Sequence, residues 1–565
     1  MSVYTAELAA GLTVSGVFRH PFRVREEDAG AESKPYDDPP LTANERNMYA
    51  LSATIRAKPS WWTKAQDPEI RARWRSEAIG APVPHGNIPL TEDEVDYVLD
   101  ELAWYAAQRD AATGIEASIF PRIWQSDTLI DDELRSALLE AVAKLEDVPE
   151  AARDWHPRAD GQVLDLVHPS LYPIVYDRTV LRAGYDPKPL PADPPIYDEC
   201  QDEEGTFTST RFSWLPTDFS VSEDGASVKA LGYINNLDYV NHASAYTVVE
   251  QLIARFLPLW ERVLTESLVE LEPRRLVHGA YTWLDQPNPL FIEHPDLDEN
   301  DEDRRDMVFR LPEVIKPFQP YPKPEEPVNL EARTLQIIVK LANIILTPDK
   351  PRYKGGSWHV EGMVNEAIVS SGIYYYDEDN ITESALAFRM GVGAPEDYEQ
   401  DDEAGVRLAY GLSREGPLHQ EIGSVATRQG RCIAFPNVFQ HQVQPFELAD
   451  KSRPGHRKIV ALFLVDPQLP KPRPSTCDVP RQQKEWMRAF LRSIGSELRT
   501  KHGAQARGFA LVPPELVDMI VDRADWLMSR QEAEEYRLQL MDERSSMTSD
   551  NDTLMFSASF SMCEH

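Results

Sequence analysis

The chain has 565 residues, of which 42% are hydrophobic, enough to form more than one buried core. Asp and Glu outnumber Lys and Arg by 93 to 58, which gives a net charge of −35. This balance argues against nucleic acids and anionic membranes as partners, because both require clustered cations. No apolar stretch approaches the roughly 20 residues of a membrane span, and the N-terminus lacks a basic secretory signal. Four scattered cysteines fit an intracellular protein, and we expect it in the cytoplasm.

The first 190 residues predict a mainly helical region with proline-rich connections. Thr91 and Glu94 have the spacing of a capping box, and the apolar residues after them recur at helical intervals. A second helix is predicted from about Asp132, with Leu134 and Leu138 on its apolar face. Residues 188–195 are typical of a linker, because proline fixes φ and removes a hydrogen-bond donor. We therefore expect an N-terminal helical region at residues 1–190.

Residues 191–470 predict a domain that mixes helix and strand. A long amphipathic helix is expected at residues 245–268, kinked at Pro258, and an acidic loop at residues 296–303. Candidate strands, rich in β-branched or aromatic residues, lie at 335–346, 367–376, 385–390, 431–435 and 458–465. Because helices do not alternate with these strands, we expect antiparallel sheets rather than a parallel βαβ sheet.

Residues 471–565 predict a helical C-terminal extension. After Pro474 the apolar residues Trp486, Phe490 and Ile494 share one helical face. The last 20 residues are rich in Ser, Asp and Met, so we expect them to be frayed.

Histidines followed two residues later by a carboxylate are candidate metal ligands, because such a pair shares one face of a strand. The composition predicts about two such pairs by chance, so context must separate them. His419 lies in a loop-like segment only 22 residues before His441. The pair His294–Asp296 opens the acidic run. His359, in contrast, lies between candidate strands. The three pairs are His294–Asp296, His359–Glu361 and His419–Glu421.

The best candidate site combines His359, Glu361 and His441. Two imidazoles and one carboxylate on one face of a metal ion leave three open positions, as in non-haem Fe(II) oxygenases. Arg457 opens the last candidate strand, sixteen residues after His441, and could bind a carboxylate through two parallel hydrogen bonds. Ordinary core or surface histidines in a β-sandwich remain the alternative explanation of this pattern.

Four segments resemble the prolyl-hydroxylase type of 2-oxoglutarate- and iron-dependent dioxygenase: GSWHVEG, SSGIYYYDEDN, GRCIAFPNVFQHQVQPF and GHRKIVALFLVDP. The resemblance covers about 130 residues and implies a double-stranded β-helix. It also implies that His359, Glu361 and His441 bind Fe(II), that Arg457 binds the distal carboxylate of 2-oxoglutarate, and that Tyr375 touches this co-substrate. Most hydroxylases of this type have Asp where this chain has Glu361, although Jumonji-type oxygenases use Glu.

Further motifs resemble a fungal family of unassigned function, over most of residues 150–470. The motifs are HPSLYP, WLP, YINNLD and GGSWHVEG, and this resemblance implies no reaction. Within HPSLYP, His168 and Tyr172 are expected to be packing residues at the domain junction. Cys432 lacks an ordered partner for nucleophilic chemistry and is expected to be a small buried hydrophobe.

These observations predict an α+β protein with a double-stranded β-helix (jelly-roll, cupin-like) core, wrapped by N- and C-terminal helices. The expected function is Fe(II)- and 2-oxoglutarate-dependent oxidation of a C–H bond in a small metabolite or a peptide. One alternative is a zinc hydrolase with the same ligands, and another is a non-catalytic scaffold whose acidic surface binds a basic partner. Since adjacent strand residues point to opposite faces, we expect Arg457 to point inward and Lys458 to point to solvent.

Overall fold

The structure, a computed structural model, describes most of the chain. The described residues are 18–22, 38–86, 89–182, 188–190, 206–269, 276–277, 290–293, 305–308, 314–315, 317–321, 324, 326–395, 403–469, 473–502 and 512–557. The acidic run at 296–303, and with it His294, lies outside them.

Ten helices occur within the described ranges, and none of them is both long and apolar enough to span a bilayer. They are α1 (Ala43–Arg56), α2 (Trp61–Lys64), α3 (Pro68–Ala78), α4 (Glu92–Gln108), α5 (Asp132–Glu146), α6 (Tyr239–Ser267), α7 (Glu403–Tyr410), α8 (Lys484–His502), α9 (Pro514–Asp522) and α10 (Arg530–Asn551). The capping box at Thr91 and Glu94 is present at the start of α4.

The strands are short before residue 334 and longer after it. They are β1 (Glu116–Ala117), β2 (Trp124–Ser126), β3 (Val163–Val167), β4 (Ile174–Val175), β5 (Val180–Leu181), β6 (Lys188–Pro189), β7 (Phe212–Ser213), β8 (Thr217–Val221), β9 (Val228–Ala230), β10 (Leu276–Val277), β11 (Leu290–Glu293), β12 (Arg305–Val308), β13 (Val314–Ile315), β14 (Thr334–Leu346), β15 (Arg352–Tyr353), β16 (Ile368–Asp379), β17 (Ser384–Gly391), β18 (His419–Thr427), β19 (Cys432–Pro436), β20 (Gln440–Val443), β21 (Phe446–Glu447) and β22 (Gly455–Val465).

Two antiparallel sheets carry the candidate site. The larger has the strand order β1-β2-β19-β16-β22-β14-β8-β9, with β3 also paired to β14. The smaller has the order β18-β17-β20, and one isolated bridge between His359 and His441 extends it. The expectation of a mixed α and β protein with antiparallel sheets is therefore confirmed.

The alternation of side chains along β14 and β22 separates two cores. On the outer face of the larger sheet, alternate residues of β14 pack against α6 and its residue Trp260. These residues are Leu335, Ile337, Val339 and Leu341. Gly372 on β16 lets α6 approach, because a Cβ there would lie 2.7 Å from the Phe256 ring. The inner face of the same sheet contributes Ile338 and Phe463 to a second core, which also contains Phe388 of the smaller sheet.

The long helix α6 differs from its prediction at one point. Its break in helical dihedral angles lies at His242 (φ −129°, ψ 38°), and the backbone around Pro258 keeps helical angles. Proline can remain inside a helix when the carbonyl four residues earlier can move away from the ring.

The smaller sheet also corrects one expectation. His419 does not lie in a loop, since it opens β18, whose residues pair with β17 from Gly391 to Ser384. Gly416 and Pro417 precede β18 and Gly423 interrupts it, so its sequence has turn residues where the fold has a strand.

The C-terminal segment also differs from its expected structure. Helix α10 continues to Asn551, one π-helical turn follows to Phe556, and Met547, Met555 and Phe556 are buried in the second core. The expected frayed tail is therefore wrong for residues 546–557, because these apolar side chains dock on the sheets. In the N-terminal region, predicted as mainly helical, β3 joins the larger sheet.

Candidate metal centre

The backbone places the three candidate ligands side by side. His359 and His441 exchange two backbone hydrogen bonds, of 3.2 and 3.0 Å, although only one pair of residues is bridged. His441 also pairs with Phe388 on β17, which fixes its position in the smaller sheet. Because Glu361 lies two residues after His359, its side chain returns to the same face.

The ligand atoms converge on one point. Nε2 of His359 lies 3.7 Å from Oε1 of Glu361, and Nε2 of His441 lies 3.5 Å from the same oxygen. Two atoms that each lie about 2.1 Å from one ion are about 3 to 3.5 Å apart, so these spacings approach those of shared ligands. Nδ1 of His359 donates to the Ser357 carbonyl at 2.9 Å, which leaves the lone pair on Nε2.

The electrostatics of the three groups are coupled. Burial raises the pKa of Glu361, but the hydrogen bonds and charges of the two histidines outweigh it and hold that pKa well below its usual range. Burial lowers the pKa of His359, but the hydrogen bond and charge of Glu361 and the Ser357 carbonyl together outweigh it, so that pKa is raised. Burial and the neighbouring His359 lower the pKa of His441. Without a metal, a proton on His359 balances the carboxylate, so a divalent cation would take the place of that proton.

Asn437 holds the backbone of Glu361. Its Oδ1 accepts from the Glu361 N–H at 2.8 Å, and its Nδ2 donates to the Glu361 carbonyl at 2.8 Å and to the Ile368 carbonyl at 3.0 Å. The Asn437 side chain is buried, and its hydrogen bonds to the Glu361 backbone fix the direction in which the Glu361 side chain points. Sequence reasoning missed this residue, and its only signal was an Asn in the turn before the distal histidine.

Arg457 lies on the inner face of β22 and is only 2% exposed. Its Nη1 donates to the hydroxyls of Ser384 and Thr427, each at a long 3.3 Å, and its guanidinium lies over the rings of Tyr375 (5.4 Å) and Phe446 (4.9 Å). Within the described ranges no carboxylate forms an ion pair with it, and Nε has no hydrogen-bond partner. Burial accordingly lowers the pKa of Arg457 and raises that of Tyr375 to about 12.

Lys458 points to the opposite face, as expected, but not to solvent. Its Nζ lies 3.0 Å from Glu146 of α5 and 3.6 Å from Asp377, and the side chain is 16% exposed. The correction follows from the packing of α5 against this face of the sheet, which an alternation pattern does not reveal.

A second cluster combines His156, Asp165 and His168, whose candidate ligand atoms lie within 4.8 Å of one another. Arg537 of α10 binds the Asp165 carboxylate, and the Ser170 N–H donates to Nδ1 of His168 at 3.2 Å. A neutral imidazole that accepts at Nδ1 carries its proton on Nε2, so it has no lone pair there for a metal. This cluster therefore fits a network that anchors α10, in line with the packing role expected for His168.

The remaining candidates lie apart from the centre. His419 points away from it, with Nδ1 2.6 Å from the Phe556 carbonyl. Cys432 is fully buried on β19. Sequence reasoning also missed Lys340, whose position on β14 turns it toward the inner face.

Two solved structures with low similarity are dioxygenases by name. The Fe(II)/α-ketoglutarate-dependent dioxygenase TqaL is 11% identical, with 46% of this chain and 71% of that chain covered and a TM-score of 0.22. The dioxygenase for auxin oxidation in rice is 12% identical, with 67% and 79% covered and a TM-score of 0.23. TM-scores of this size do not establish a shared fold.

Among curated proteins, no match to the chain is found. Two family descriptions do match: "Domain of unknown function DUF4246, N-terminal" at residues 4–77 and "Protein of unknown function (DUF4246)" at residues 92–489. Because the second covers more than half of the chain, this protein belongs to the DUF4246 family.

Proposed function

We propose that this protein is an Fe(II)- and 2-oxoglutarate-dependent dioxygenase with a double-stranded β-helix core. The order in which the chain visits the two sheets supports this fold. It enters the larger sheet at β14, crosses to the smaller at His359, and returns at β16. It then forms β17 and β18 in the smaller sheet, β19 in the larger, β20 in the smaller and β22 in the larger. Such alternation winds the chain around one core.

The observation that carries the function is the buried, unpaired guanidinium of Arg457. A buried charge without a partner is unfavourable, and the hydroxyls of Ser384 and Thr427 compensate it only in part. An anionic ligand between Arg457 and the ligand cluster would restore the balance. A dicarboxylate fits, because one end can bind the fork of Arg457 while the other reaches the metal.

The donor set fits Fe(II), since two imidazoles and one carboxylate on one face leave positions for a chelating keto acid and for O2. When bound, iron, O2 and 2-oxoglutarate together supply the oxidation of an unactivated C–H bond, with release of succinate and CO2. The chain itself holds the metal through His359, Glu361 and His441. Arg457 and Tyr375 hold and orient the co-substrate, and the apolar core around them excludes water.

The zinc hydrolase remains the second candidate, because the same three ligands also suit zinc with one bound water. That chemistry has no use for a buried cation such as Arg457, which is why we prefer the oxygenase.

The test is an anaerobic titration of the metal-free protein with Fe(II) and then with 2-oxoglutarate, followed by the visible absorption of the iron–keto acid chelate. We expect one Fe(II) per chain, saturable binding of 2-oxoglutarate, and slow release of succinate in air without added substrate. Binding of zinc with no affinity for 2-oxoglutarate would contradict the proposal.

A further inference from the structure

Lys340 points into the same interior as Arg457. In the pairing of β14 with β22, Lys340 lies opposite Ala461 and Ile344 lies opposite Arg457. Ile338, Ala461 and Phe463, which share this face by alternation, belong to the inner core, whereas Val339 and Leu341 pack on the outer face. A lysine at this position is therefore directed between the two sheets.

The strand registers also give its level in the barrel. Arg457 donates across the interior to Ser384 at the start of β17, and His441 pairs with Phe388, four residues further along that strand. Lys340 lies four residues from Ile344, in the same direction on the facing sheet. Both steps are about 13 Å, so Lys340 faces the ligand cluster from the opposite wall.

The electrostatics agree with this placement. The charge of Lys340 is among the influences that lower the pKa of the His359 imidazole, although burial contributes more, and the bond and charge of Glu361 together with the Ser357 carbonyl outweigh both. The same charge acts on Asp165 and His168, and Asp165 lies on β3, the strand paired with β14. The charge of Lys340 therefore reaches both histidine clusters.

Lys340 also lacks a close ion-pair partner. Across the part of the chain that the structure describes, it makes neither an ion pair nor a side-chain hydrogen bond, and it is half-buried. Asp165, the carboxylate that the charge of Lys340 influences, already binds Arg537 and His156 through its Oδ2. In a protein with a net charge of −35, an inward cation without a carboxylate partner is an unfilled position for an anion.

We infer that Lys340 binds an anionic group of the substrate, so the substrates of this enzyme are organic acids rather than neutral molecules. This inference rests on the proposed function, which assigns the other inward cation, Arg457, to the co-substrate. The Lys340 ammonium, on the wall opposite the iron ligands, would bind the carboxylate of the substrate and leave its hydrocarbon part over the metal. A compact ammonium suits this role, since it binds anions without imposing a planar geometry.

The test uses two probes of equal shape, 4-fluorophenylacetate and the neutral 4-fluorophenylacetamide, added to the protein loaded with Mn(II) and 2-oxoglutarate. Their binding is followed by fluorine NMR, in which Mn(II) broadens the line of a probe bound beside it. We expect the acid to bind and its fluorine line to broaden, and the amide to bind at least about tenfold more weakly. In Lys340→Met, the affinity for the acid should fall by a similar factor. Lys458→Met, which removes an outward lysine, is the matched control.

Three results would overturn the inference: equal binding of acid and amide, unchanged binding of the acid to Lys340→Met, or no binding of the acid to the parent in the millimolar range. If Lys340→Met lost affinity for 2-oxoglutarate rather than for the acid, this residue would be a ligand of the co-substrate instead. Failure of the proposed function is distinguishable, because the affinities for metal and 2-oxoglutarate are measured before the probes are added. Lys340-dependent binding of the acid to a protein that does not bind 2-oxoglutarate would leave an anion site without the oxygenase.

Discussion

The Asn437 side chain and the Glu361 backbone exchange two hydrogen bonds of 2.8 Å, one in each direction. This pairing imitates the contact between neighbouring strands at a point where β20 has not yet begun. It gives the candidate carboxylate ligand a fixed backbone, although Glu361 itself lies outside any regular strand.

Asn437→Ala should therefore weaken metal binding by about 10- to 100-fold, the usual effect of removing a group that orients a ligand. The measurement is the Mn(II) dissociation constant from electron paramagnetic resonance. Asn380→Ala is the control, because Asn380 is another buried amide that holds a loop, through the carbonyls of Asp450 and Arg453. Equal metal affinities in the two variants would show that the Asn437 contact does not orient Glu361.

His359→Ala and His441→Ala should each abolish metal binding, because two remaining ligands hold a divalent ion poorly. Metal content after dialysis against Fe(II) or Mn(II), measured by mass spectrometry, tests both variants. His419→Ala should keep the full content, since His419 belongs to another His-x-Glu pair but faces the Phe556 carbonyl. Retained metal in either of the first two variants would remove that residue from the site.

Glu361→Asp should keep part of the metal affinity, and Glu361→Ala should lose nearly all of it. Aspartate is one methylene shorter, so the carboxylate should reach the ion at a distorted position. Titration calorimetry with Mn(II) gives both dissociation constants, and the uncoupled release of succinate gives the effect on turnover. If Glu361→Ala bound metal as the parent does, Glu361 would not be a ligand.

The parts that sequence reasoning predicted are those whose patterns are local. The five candidate strands are present to within about three residues at each end, because runs of β-branched and aromatic residues are typical of strands buried on both faces. His359, Glu361 and His441 converge because a two-residue step and a bridge bring them together.

What the sequence could not predict depends on contacts between distant segments. The position of Lys340 opposite Ala461 follows from the register of β14 against β22, and the contact of Asn437 is with a segment 76 residues away. The partners of Lys458 lie on α5 and β16, so its half-buried position required the packing of a helix against the sheet. Strand β18 was missed because turn residues precede and interrupt it, and only pairing with β17 makes it a strand.

Arg457→Ala should raise the dissociation constant of 2-oxoglutarate by about 30-fold or more and leave metal binding intact. The reason is that Arg457 is a buried cation directed into the interior, so truncation removes a charge-assisted bond to the distal carboxylate. Lys458→Ala should instead lower the melting temperature, because it removes the cation that Glu146 and Asp377 share, although Asp377 keeps Arg135 and His456. The dissociation constant of 2-oxoglutarate is measured for both variants by titration calorimetry on the Mn(II)-loaded protein. A larger loss of 2-oxoglutarate affinity in Lys458→Ala than in Arg457→Ala would mean that the strand register is wrong by one residue.

Two of the three displaced pKa values in the centre, those of Glu361 and His359, make the metal-free fold more stable over part of the pH range. The pKa of Glu361 is lowered, so its contribution to stability is present above the usual glutamate pKa and is lost as pH falls toward the lowered value. The pKa of His359 is raised, so its contribution is complete below about pH 6.5 and is lost as pH rises through the raised value. Glu361 and His359 should therefore stabilise the metal-free fold most between about pH 4.5 and 6.5, and the lowered pKa of His441 opposes them in that interval.

Metal binding should show the reverse dependence. Because His359 must lose its proton to bind an ion, Mn(II) affinity should fall about tenfold for each pH unit below the raised pKa of His359. The increase in melting temperature on addition of Mn(II) should accordingly grow between about pH 6 and pH 8, while the metal-free protein loses stability over the same interval. Thermal unfolding with and without Mn(II) at several pH values measures both trends. His359→Gln, which cannot titrate, should remove the loss of stability in the metal-free protein, and an unchanged profile in that variant would mean that another group governs the transition.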